Sequence, residues 1–459
     1  MCGDWLIYLE CLKGGKMAYD VTTRNFFRRH SASQVHKVEG TEVYFAEREA
    51  ITRYVVEHFA VNRRMIKKAF TAIDHEWQRF QHKHPGRKLL ECYDKSGLKA
   101  AARWFQQQSH VAFYVHGMTF SRGGIERLAA QLANHMVENG WQVTIYCRVH
   151  QRSTSIYPLY ESVRVVPIFD EHKLDTSVKA LNYALTHDHI DVFVPMLSEW
   201  LFEPIVEAAQ NTGVTIIASE HNDPWKIEEL WWNHEKRVAC FEKVDAIHFL
   251  LNKYIESVPK HLHDKVITIP NGVEIPNQIN LENREKLIVS VGRLVPQKRF
   301  DSLIEAVSLV QENLRGTGHR VEIYGEGELR NSLMQQIQQQ NVEDIVFLMG
   351  NTSEIEKVYQ RADFFVLASD FEGLPVTLLE ALSYGLPVIG FKHCNGPNEI
   401  IRPEQEGLLV DSVQSLAEAI EIMINNNNDR IKPYNRAKDY SLANFYESWK
   451  EKLIDIVKV

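Results

Sequence analysis

The stretch IPNGVEIPNQINLENREKLIVSVG, residues 269–292, ends one series of strand-like segments and begins a second. Seven short apolar runs alternate with helix-like stretches between residues 110 and 270, and six more begin with LIVSVG at residue 287. Continuous apolar runs separated by helical stretches are typical of parallel strands buried on both faces. The polar link near residues 273–285 therefore predicts a boundary between two domains of similar architecture.

The chain has 459 residues, which is too long for one ordinary hydrophobic core. We predict an α/β protein with two tandem doubly wound, Rossmann-like domains and a helical N-terminal extension. The predicted segments are a basic helical extension over residues 1–107, a first domain over 108–283, a second domain over 284–440 and a packing helix over 441–459. Such domains bind ligands at the carboxyl ends of their strands, so we expect a site in the cleft between them.

The bulk composition indicates a globular protein of the cytoplasm. Apolar residues make up 44% and charged residues 24%, and no apolar run approaches the length of a membrane-spanning helix. The first residues resemble a signal peptide poorly, and the six cysteines are scattered without a CxxC pair. We therefore predict reduced thiols and a cytoplasmic location, with peripheral attachment to the inner face of the membrane as an extension of that prediction.

The amino-terminal segment carries the opposite charge to the rest of the chain. Residues 1–107 hold 19 Lys and Arg against 12 Asp and Glu, a balance of +7, whereas the remainder holds 33 against 48, a balance of −15. Apolar residues recur at helical steps between Ala46 and Trp77, so one interpretation is a set of helices packed on the main body. The alternative is a basic amphipathic surface for an anionic membrane or polymeric acceptor. Nucleic acid is not expected, because the aromatic and basic interleaving of such modules is absent.

Two loops after predicted strands have the composition of anion sites. Gly123 and Gly124 follow HVAFYVHG and open a helix, where bare backbone N–H groups could meet phosphate oxygens. Arg293 and Lys298 follow LIVSVG and precede another helix, where a forked guanidinium and a compact ammonium suit a diphosphate. Alone, the first loop is better explained as a tight turn and the second as a solvated cationic loop.

The stretch SDFEGLPVTLLEALSYGLPVIG, residues 369–390, separates two glutamates by seven residues. Glu372 is expected in a loop, a helix is expected to begin near Pro375, and Gly385 is its natural end. Glu380 then lies within the helix, where its carboxylate could accept both hydroxyls of a ribose. The helix start offers backbone donors to an anion. The competing interpretation is one solvated loop carboxylate and one on a helix surface.

Several motifs in order resemble one family. EGLPVTLLEA, VSVGRLVPQKRFDSLIEA, FSRGGIERLAAQLA, SEHNDPW and IPNGVE are similar to motifs of family 4 of the retaining glycosyltransferases, which have the GT-B fold and an E-x7-E signature. The resemblance covers roughly residues 108–459 and leaves the extension without a counterpart. Agreement of ordered motifs is far more specific than any one of them.

The resemblance implies a role for each matched residue. It implies that Arg293 and Lys298 neutralise the donor diphosphate and that Glu380 binds the ribose. Glu372, with the backbone of Gly373, Leu374 and Pro375, would hold the sugar and phosphate, and Gly123 and Gly124 would approach from the other domain. His221 would lie near the transferred sugar.

The implied function is a retaining glycosyltransferase that moves a sugar from a nucleotide-diphosphate sugar to a glycan, lipid-linked or protein acceptor. A UDP-sugar is favoured by family habit, and the product would belong to a cell-surface polysaccharide or glycoconjugate. We expect neither a cofactor nor a metal ion, because the sequence has no D-x-D motif and no His/Cys cluster at metal spacing. The alternatives are a catalytically silent partner subunit, and a sugar-nucleotide epimerase or phosphorylase of the same architecture.

Overall fold

The computed structural model describes residues 109–197, 201–280, 284–426 and 428–458. The predicted basic extension over residues 1–107 lies outside the described residues, and so does the surface predicted to meet an anionic partner. No helix among the described segments has both the length and the apolar composition needed to cross a membrane.

The first domain is built on a seven-stranded parallel sheet with the order β3-β2-β1-β4-β5-β6-β7. The strands are the apolar runs of the sequence; the middle residues of the five inner strands are buried, whereas those of the edge strands β3 and β7 are mostly half-buried. They are β1 His110–Tyr114, β2 Gln142–Arg148, β3 Val163–Phe169, β4 Val192–Leu197, β5 Thr215–Glu220, β6 Ala246–Phe249 and β7 Val266–Thr268.

The second domain repeats this design with a six-stranded parallel sheet in the order β10-β9-β8-β11-β12-β13. The strands of the second domain are β8 Leu287–Val291, β9 Arg320–Tyr324, β10 Val346–Gly350, β11 Phe364–Leu367, β12 Val388–Phe391 and β13 Gly407–Val410. The predicted α/β fold with two doubly wound domains is therefore confirmed.

Strand order reverses beside β1 in the first sheet and beside β8 in the second. Ligands of doubly wound sheets bind at such switch points, in the crevice outside the carboxyl ends of the strands. The glycine loop follows β1 and the Arg293 loop follows β8, so the topology puts both candidate anion loops at the expected place.

Helices cover the sheets. In the first domain they are α1 Gly124–Glu138, α2 Leu174–His187, α3 Phe202–Ala209, α4 Pro224–Leu230 and α5 His234–Glu242. In the second domain they are α6 Phe300–Leu309, α7 Gln311–Thr317, α8 Arg330–Gln339, α9 Ile355–Arg361, α10 Val376–Ser383, α11 Asn395–Ile400, α12 Val413–Asn425 and α13 Ile431–Lys438, and α14 Leu442–Lys458 ends the described chain.

The last helix, α14, returns to the first domain. Phe445, Trp449 and Leu453 are buried in the same apolar cluster as residues of β1 and α1. The return passes beside the outgoing link, because Val273 exchanges backbone hydrogen bonds of 2.8 Å with Tyr440 and Leu442. The packing helix expected from the sequence therefore follows the second domain in the chain but packs on the first domain.

Helix α10 begins one residue later than the sequence indicated. Pro375 has an extended backbone, with ψ at 117°, and precedes the first helical residue, Val376. Proline has no N–H to place in a helix, and here it turns the chain from the Glu372 loop into the helix. The end is as expected: Gly385 has φ at +75°, a left-handed conformation that a residue with a Cβ adopts only at a cost.

Candidate active site

A cavity of about 940 Å³ lies between the two domains, at the carboxyl ends of their strands. Its wall includes every site residue predicted from the sequence, four of them on one loop and a fifth in the helix that follows it. The residues are Gly123, Gly124, His221, Arg293, Lys298, Glu372, Gly373, Leu374, Pro375 and Glu380. The structure thus assembles in one cleft the residues to which the resemblance assigns separate parts of one ligand.

The glycine loop brings the two domains close together. Gly124 is the first residue of α1, and a Cβ placed there would lie 3.2 Å from the Cγ2 atom of Val376, the first residue of α10. The amide ends of α1 and α10 therefore line the same cavity from opposite domains. Helix N-termini carry partial positive charge and unpaired N–H donors, which favour an anion between them.

The cationic loop lies against the Glu372 loop. The Lys298 ammonium forms an ion pair with the Glu372 carboxylate, which also accepts a 2.7 Å hydrogen bond from the Ser369 hydroxyl. Gln297 fastens the two loops by donating a 2.8 Å hydrogen bond to the Phe371 carbonyl. Arg293 lines the cavity with an exposed side chain, and its guanidinium makes no hydrogen bond to another described residue.

The Glu380 carboxylate is held from both domains. It forms an ion pair with Arg127 of α1 and accepts a 3.1 Å hydrogen bond from the Tyr359 hydroxyl. Only about 13% of its side chain is exposed. A carboxylate with so little exposed surface is suited to accept hydrogen bonds from two neighbouring hydroxyls once Arg127 has moved away from it.

The backbone of the Glu372 loop is bonded to the first domain. Tyr254 donates its hydroxyl to the carbonyls of Gly373 at 2.7 Å and Glu372 at 3.1 Å, and Asn271 donates 2.7 Å to the Leu374 carbonyl. A Cβ at Gly373 would lie 2.8 Å from the His221 carbonyl oxygen. The loop therefore has no room for a side chain at position 373.

His221 forms the wall on the side of the first domain. The residue is 9% exposed, and its Nε2 atom lies 2.8 Å from the Ser219 hydroxyl. Burial, with a smaller effect of the nearby His248, lowers the pKa of His221 to about 3. The ring is therefore neutral at physiological pH.

The preceding residue anchors this wall. Glu220 is fully buried and accepts two hydrogen bonds from Arg237, of 2.8 and 2.6 Å. Arg237 also donates 2.8 Å to Glu228 and 3.1 Å to the Ser257 carbonyl. A forked guanidinium between two carboxylates fixes the strand end from which His221 projects.

Glu126 places a carboxylate beside the glycine loop. Burial raises its pKa, and hydrogen bonds from the backbone and from Ser121, together with the charge of Arg293, act in the other direction. Among the described residues, no group of three or more His, Cys, Asp or Glu side chains is arranged to hold a metal ion.

Sequence reasoning missed the residues that close the cleft. Arg127 lies three positions after Gly124, so helical spacing could have placed it on the cavity side of α1. Tyr254 and Asn271 follow β6 and β7, and the rule that ligands meet strand carboxyl ends could have drawn attention to them. Tyr359 carried no such signal, because its partner depends on how α9 packs beside α10.

Two family models match consecutive parts of the chain. Residues 122–275 match the model described as Glycosyltransferase Family 4, and residues 273–440 match the model described as Glycosyl transferases group 1. The boundary between the matches falls in the predicted link. The two matches and the two-domain fold support a glycosyltransferase of the GT-B class.

Individual proteins are similar along most of the chain. The GalNAc-alpha-(1->4)-GalNAc-alpha-(1->3)-diNAcBac-PP-undecaprenol alpha-1,4-N-acetyl-D-galactosaminyltransferase of Campylobacter jejuni is 26% identical over 366 residues, which are 74% of this chain and 97% of that protein. The sucrose-phosphate synthase of Thermosynechococcus elongatus superimposes with a TM-score of 0.66 at 16% identity, over 76% of this chain and 99% of its own. A TarM mutant of Staphylococcus aureus in complex with fondaparinux, alpha-GlcNAc-glycerol and UDP does so with a TM-score of 0.60 at 14% identity, over 75% and 99%. At these identities the solved structures show the shared fold.

Proposed function

We propose that this protein transfers a sugar, with retention of configuration, from a nucleotide-diphosphate sugar to a lipid-linked or polymeric acceptor of a cell-surface glycan. One observation carries the proposal. Arg293 and Lys298 of the second domain line the same cavity as the helix start at Gly123 and Gly124 of the first domain. A diphosphate is the group whose charge and size match two cations opposite an amide-rich helix end.

Donor binding in this scheme exchanges internal ion pairs for substrate contacts. Lys298 leaves the Glu372 carboxylate for a diphosphate oxygen, and Glu372 becomes free to accept hydroxyls of the transferred sugar. Glu380 likewise leaves Arg127 for the ribose. Lys298 keeps an anionic partner throughout the exchange, whereas Glu372 and Glu380 replace a cation with neutral hydroxyl donors and so keep hydrogen bonds to their carboxylates.

The transfer itself needs stabilisation of the leaving diphosphate. The bond between the anomeric carbon and the phosphate oxygen breaks, and the acceptor oxygen bonds to the same face. The acceptor hydroxyl proton passes to the departing phosphate oxygen. Arg293, Lys298 and the helix ends stabilise the developing charge without a metal ion, and preorganised donors of this kind contribute roughly 10²- to 10³-fold each.

The names of similar proteins support the substrate classes. The Campylobacter jejuni relative is named for an undecaprenol-diphosphate-linked acceptor, and a Staphylococcus aureus relative, 29% identical over 40% of this chain, is a poly(ribitol-phosphate) α-N-acetylglucosaminyltransferase. UDP is bound in the TarM complex, and a structurally similar Anabaena protein forms a complex with UDP and glucose. We take a UDP-sugar as the donor on this basis.

A screen of nucleotide sugars by thermal shift tests the donor. Binding to the folded state raises the unfolding temperature, and we expect UDP-sugars to do so. Lys298→Met should remove the shift and lower turnover roughly 10²-fold or more. Lys286→Met is the matched control, because Lys286 lies at the opposite, amino end of β8 and its ammonium, among the described residues, bonds to the Thr317 carbonyl alone.

Product analysis separates the alternatives. Release of UDP that depends on an acceptor identifies a transferase, whereas an epimerase would convert the nucleotide sugar without one. Absence of any nucleotide-sugar binding, together with an unchanged cellular glycan in the Lys298→Met strain, would identify a silent partner subunit instead.

We also propose that the basic extension holds the protein on an anionic membrane surface on the cytoplasmic side. The supporting observation is the balance of +7 over residues 1–107 beside an acidic remainder. Removing residues 17–105 should abolish sedimentation with vesicles of phosphatidylglycerol while nucleotide binding persists. Equal sedimentation of both forms would refute this attachment.

A further inference from the structure

A chain of three polar side chains runs from the cleft into the first domain. The His221 Nε2 atom lies 2.8 Å from the Ser219 hydroxyl, which lies 2.7 Å from His248 Nδ1. His248 Nε2 lies 2.9 Å from the Ile269 carbonyl oxygen. Ser219 and His248 are direct register partners on β5 and β6, so the parallel pairing of two inner strands fixes their approach.

The end of this chain determines where each proton lies. The Ile269 carbonyl can only accept, so His248 carries its proton on Nε2 and presents a bare lone pair at Nδ1. Ser219 has one proton and must donate it to that lone pair. The Ser219 oxygen then accepts from His221, whose proton is therefore on Nε2. His221 Nδ1 is left as an unprotonated acceptor.

This acceptor has no partner in the protein. His221 Nδ1 is buried and makes no hydrogen bond to any described residue, although the ring lines the cavity. A buried polar atom left unpaired costs free energy, which a ligand donor at that place recovers. The opposite wall at this level is the Glu372–Gly373 loop, which approaches the His221 backbone closely.

We propose that Ser219 and His248 are positioning residues: they hold His221, which the resemblance places near the transferred sugar, in the Nε2–H tautomer, so that its Nδ1 atom accepts a hydrogen bond from a hydroxyl of that sugar. This inference rests on the proposed glycosyl transfer and adds residues that bear on recognition of the sugar. It gives His221 the role of an acceptor and excludes it as an acid, since its other nitrogen is already donating to Ser219.

The surroundings keep both rings neutral and in place. Burial lowers the pKa of His248 to about 4, against a weaker opposing effect of its bond to Ile269. Trp449 of α14 packs on the His248 ring with centroids 4.7 Å apart. The reversed proton order would point two lone pairs at each other between His248 and Ile269, so the tautomer has no alternative while the rings stay neutral.

The test compares Ser219→Ala with Ser219→Thr and with Ser177→Ala in the full-length protein. Ser219→Ala removes the relay hydroxyl, and Ser219→Thr restores one. Ser177 is a buried serine of the same domain, bonded to the Asp170 backbone and remote from the cavity, and it controls for loss of a buried hydroxyl. The probes are UDP and UDP-N-acetylglucosamine, or the nucleotide sugar that the wild-type screen selects.

Two readouts decide the matter. In ¹⁵N-histidine-labelled protein, with His221 assigned by comparison with His221→Asn, we expect the neutral Nε2–H tautomer in wild type and a mixture in Ser219→Ala. Measured by calorimetry, Ser219→Ala should lower the affinity for the nucleotide sugar roughly threefold to tenfold and leave the affinity for UDP unchanged. Ser219→Thr should restore the affinity for the nucleotide sugar. Ser177→Ala should change neither affinity.

An Nδ1–H tautomer in wild type, or an equal loss for UDP and the nucleotide sugar in Ser219→Ala, would overturn the proposal. Failure of the wild-type protein to bind any nucleotide is a separate outcome. It would contradict the glycosyltransferase proposal. The ¹⁵N spectrum would still test whether Ser219 and His248 set the tautomer of His221.

Discussion

Arg127 of α1 and Glu380 of α10 form an ion pair across the cleft between the two domains. The carboxylate assigned to the ribose by resemblance is thus held by a cation from the opposite domain. Any nucleotide that uses Glu380 has to exchange with Arg127. The affinity for nucleotide therefore reports a difference between two sets of contacts.

We expect Glu380→Ala to remove discrimination at the ribose. Wild-type protein should bind UDP roughly 10- to 100-fold more tightly than 2′-deoxy-UDP, because a hydrogen bond to a charged group contributes about 1.5–3 kcal/mol. Glu380→Ala should bind both equally, as measured by calorimetry. Glu418→Ala, at an exposed position on α12, is the control and should keep the wild-type ratio. A variant at Glu380 that still prefers UDP would show that the ribose is bound elsewhere.

Gly373→Ala should damage the site because the new Cβ would meet backbone atoms of the other domain, the nearest 2.8 Å away. Backbone cannot rotate aside, so the loop or the domain contact must shift, at a cost of about 1–3 kcal/mol. We expect kcat/KM to fall at least about tenfold. Gly316→Ala is the matched control: a Cβ there meets nothing within 4 Å. Because Gly316 lies in a helix, its replacement should stabilise the protein slightly. Equal activity of the two variants would contradict the close approach.

The free energy of unfolding should fall as the pH is lowered from 6.5 towards 4. Burial lowers the pKa of His110 and His248 to about 4 and that of His221 to about 3, from 6.5 in the unfolded chain. Between these values the unfolded state binds protons that the folded state does not, so stability is lost as pH falls, by up to about 1.4 kcal/mol per pH unit for each histidine. Urea unfolding at pH 6.5 and 5.0 measures the slope.

His110→Gln tests that account, since His110 lies outside the cleft and bonds to the Asp188 carbonyl and the Thr144 hydroxyl. Its loss should reduce the pH dependence by about one proton, whatever it does to stability at neutral pH. An unchanged slope would mean that His110 titrates normally in the folded protein.

Arg237→Met should destabilise the first domain strongly. The substitution leaves the fully buried Glu220 without its cation, and breaking a buried pair in this way costs about 3–5 kcal/mol. Adding Glu220→Gln should restore part of the loss, because the unpaired charge is then gone. Arg315→Met, which breaks an exposed pair with Asp344, should cost no more than about 1 kcal/mol. Similar losses for Arg237 and Arg315 in denaturant titrations would contradict the role of burial.

Local chemistry explains why the sheets were predictable. Most strands are nearly continuous apolar runs, as in LIVSVG, and the helix end at Gly385 is explained by the residues around it. The site loops were predictable for the same reason, since parallel strands must end at one edge of their sheet.

Contacts between distant elements were not predictable in this way. The periodicity of α14 indicates a buried face but does not say which domain covers it. His248 sits inside the apolar run AIHFLL, and only the pairing of β6 with β5 brings it to Ser219. The Arg127–Glu380 pair depends on the relative orientation of two domains, which no short segment encodes.

The two passages of the chain between the domains are adjacent, where Val273 bonds to Tyr440 and Leu442. Because both connections of the described residues pass through this point, we expect any opening or closing of the two domains to pivot there. A rotation there changes separation most at the far rim of the cleft and least beside the pivot. Residues near Val273 keep their neighbours during such a swing, whereas a fluorophore pair spanning the rim would report it directly.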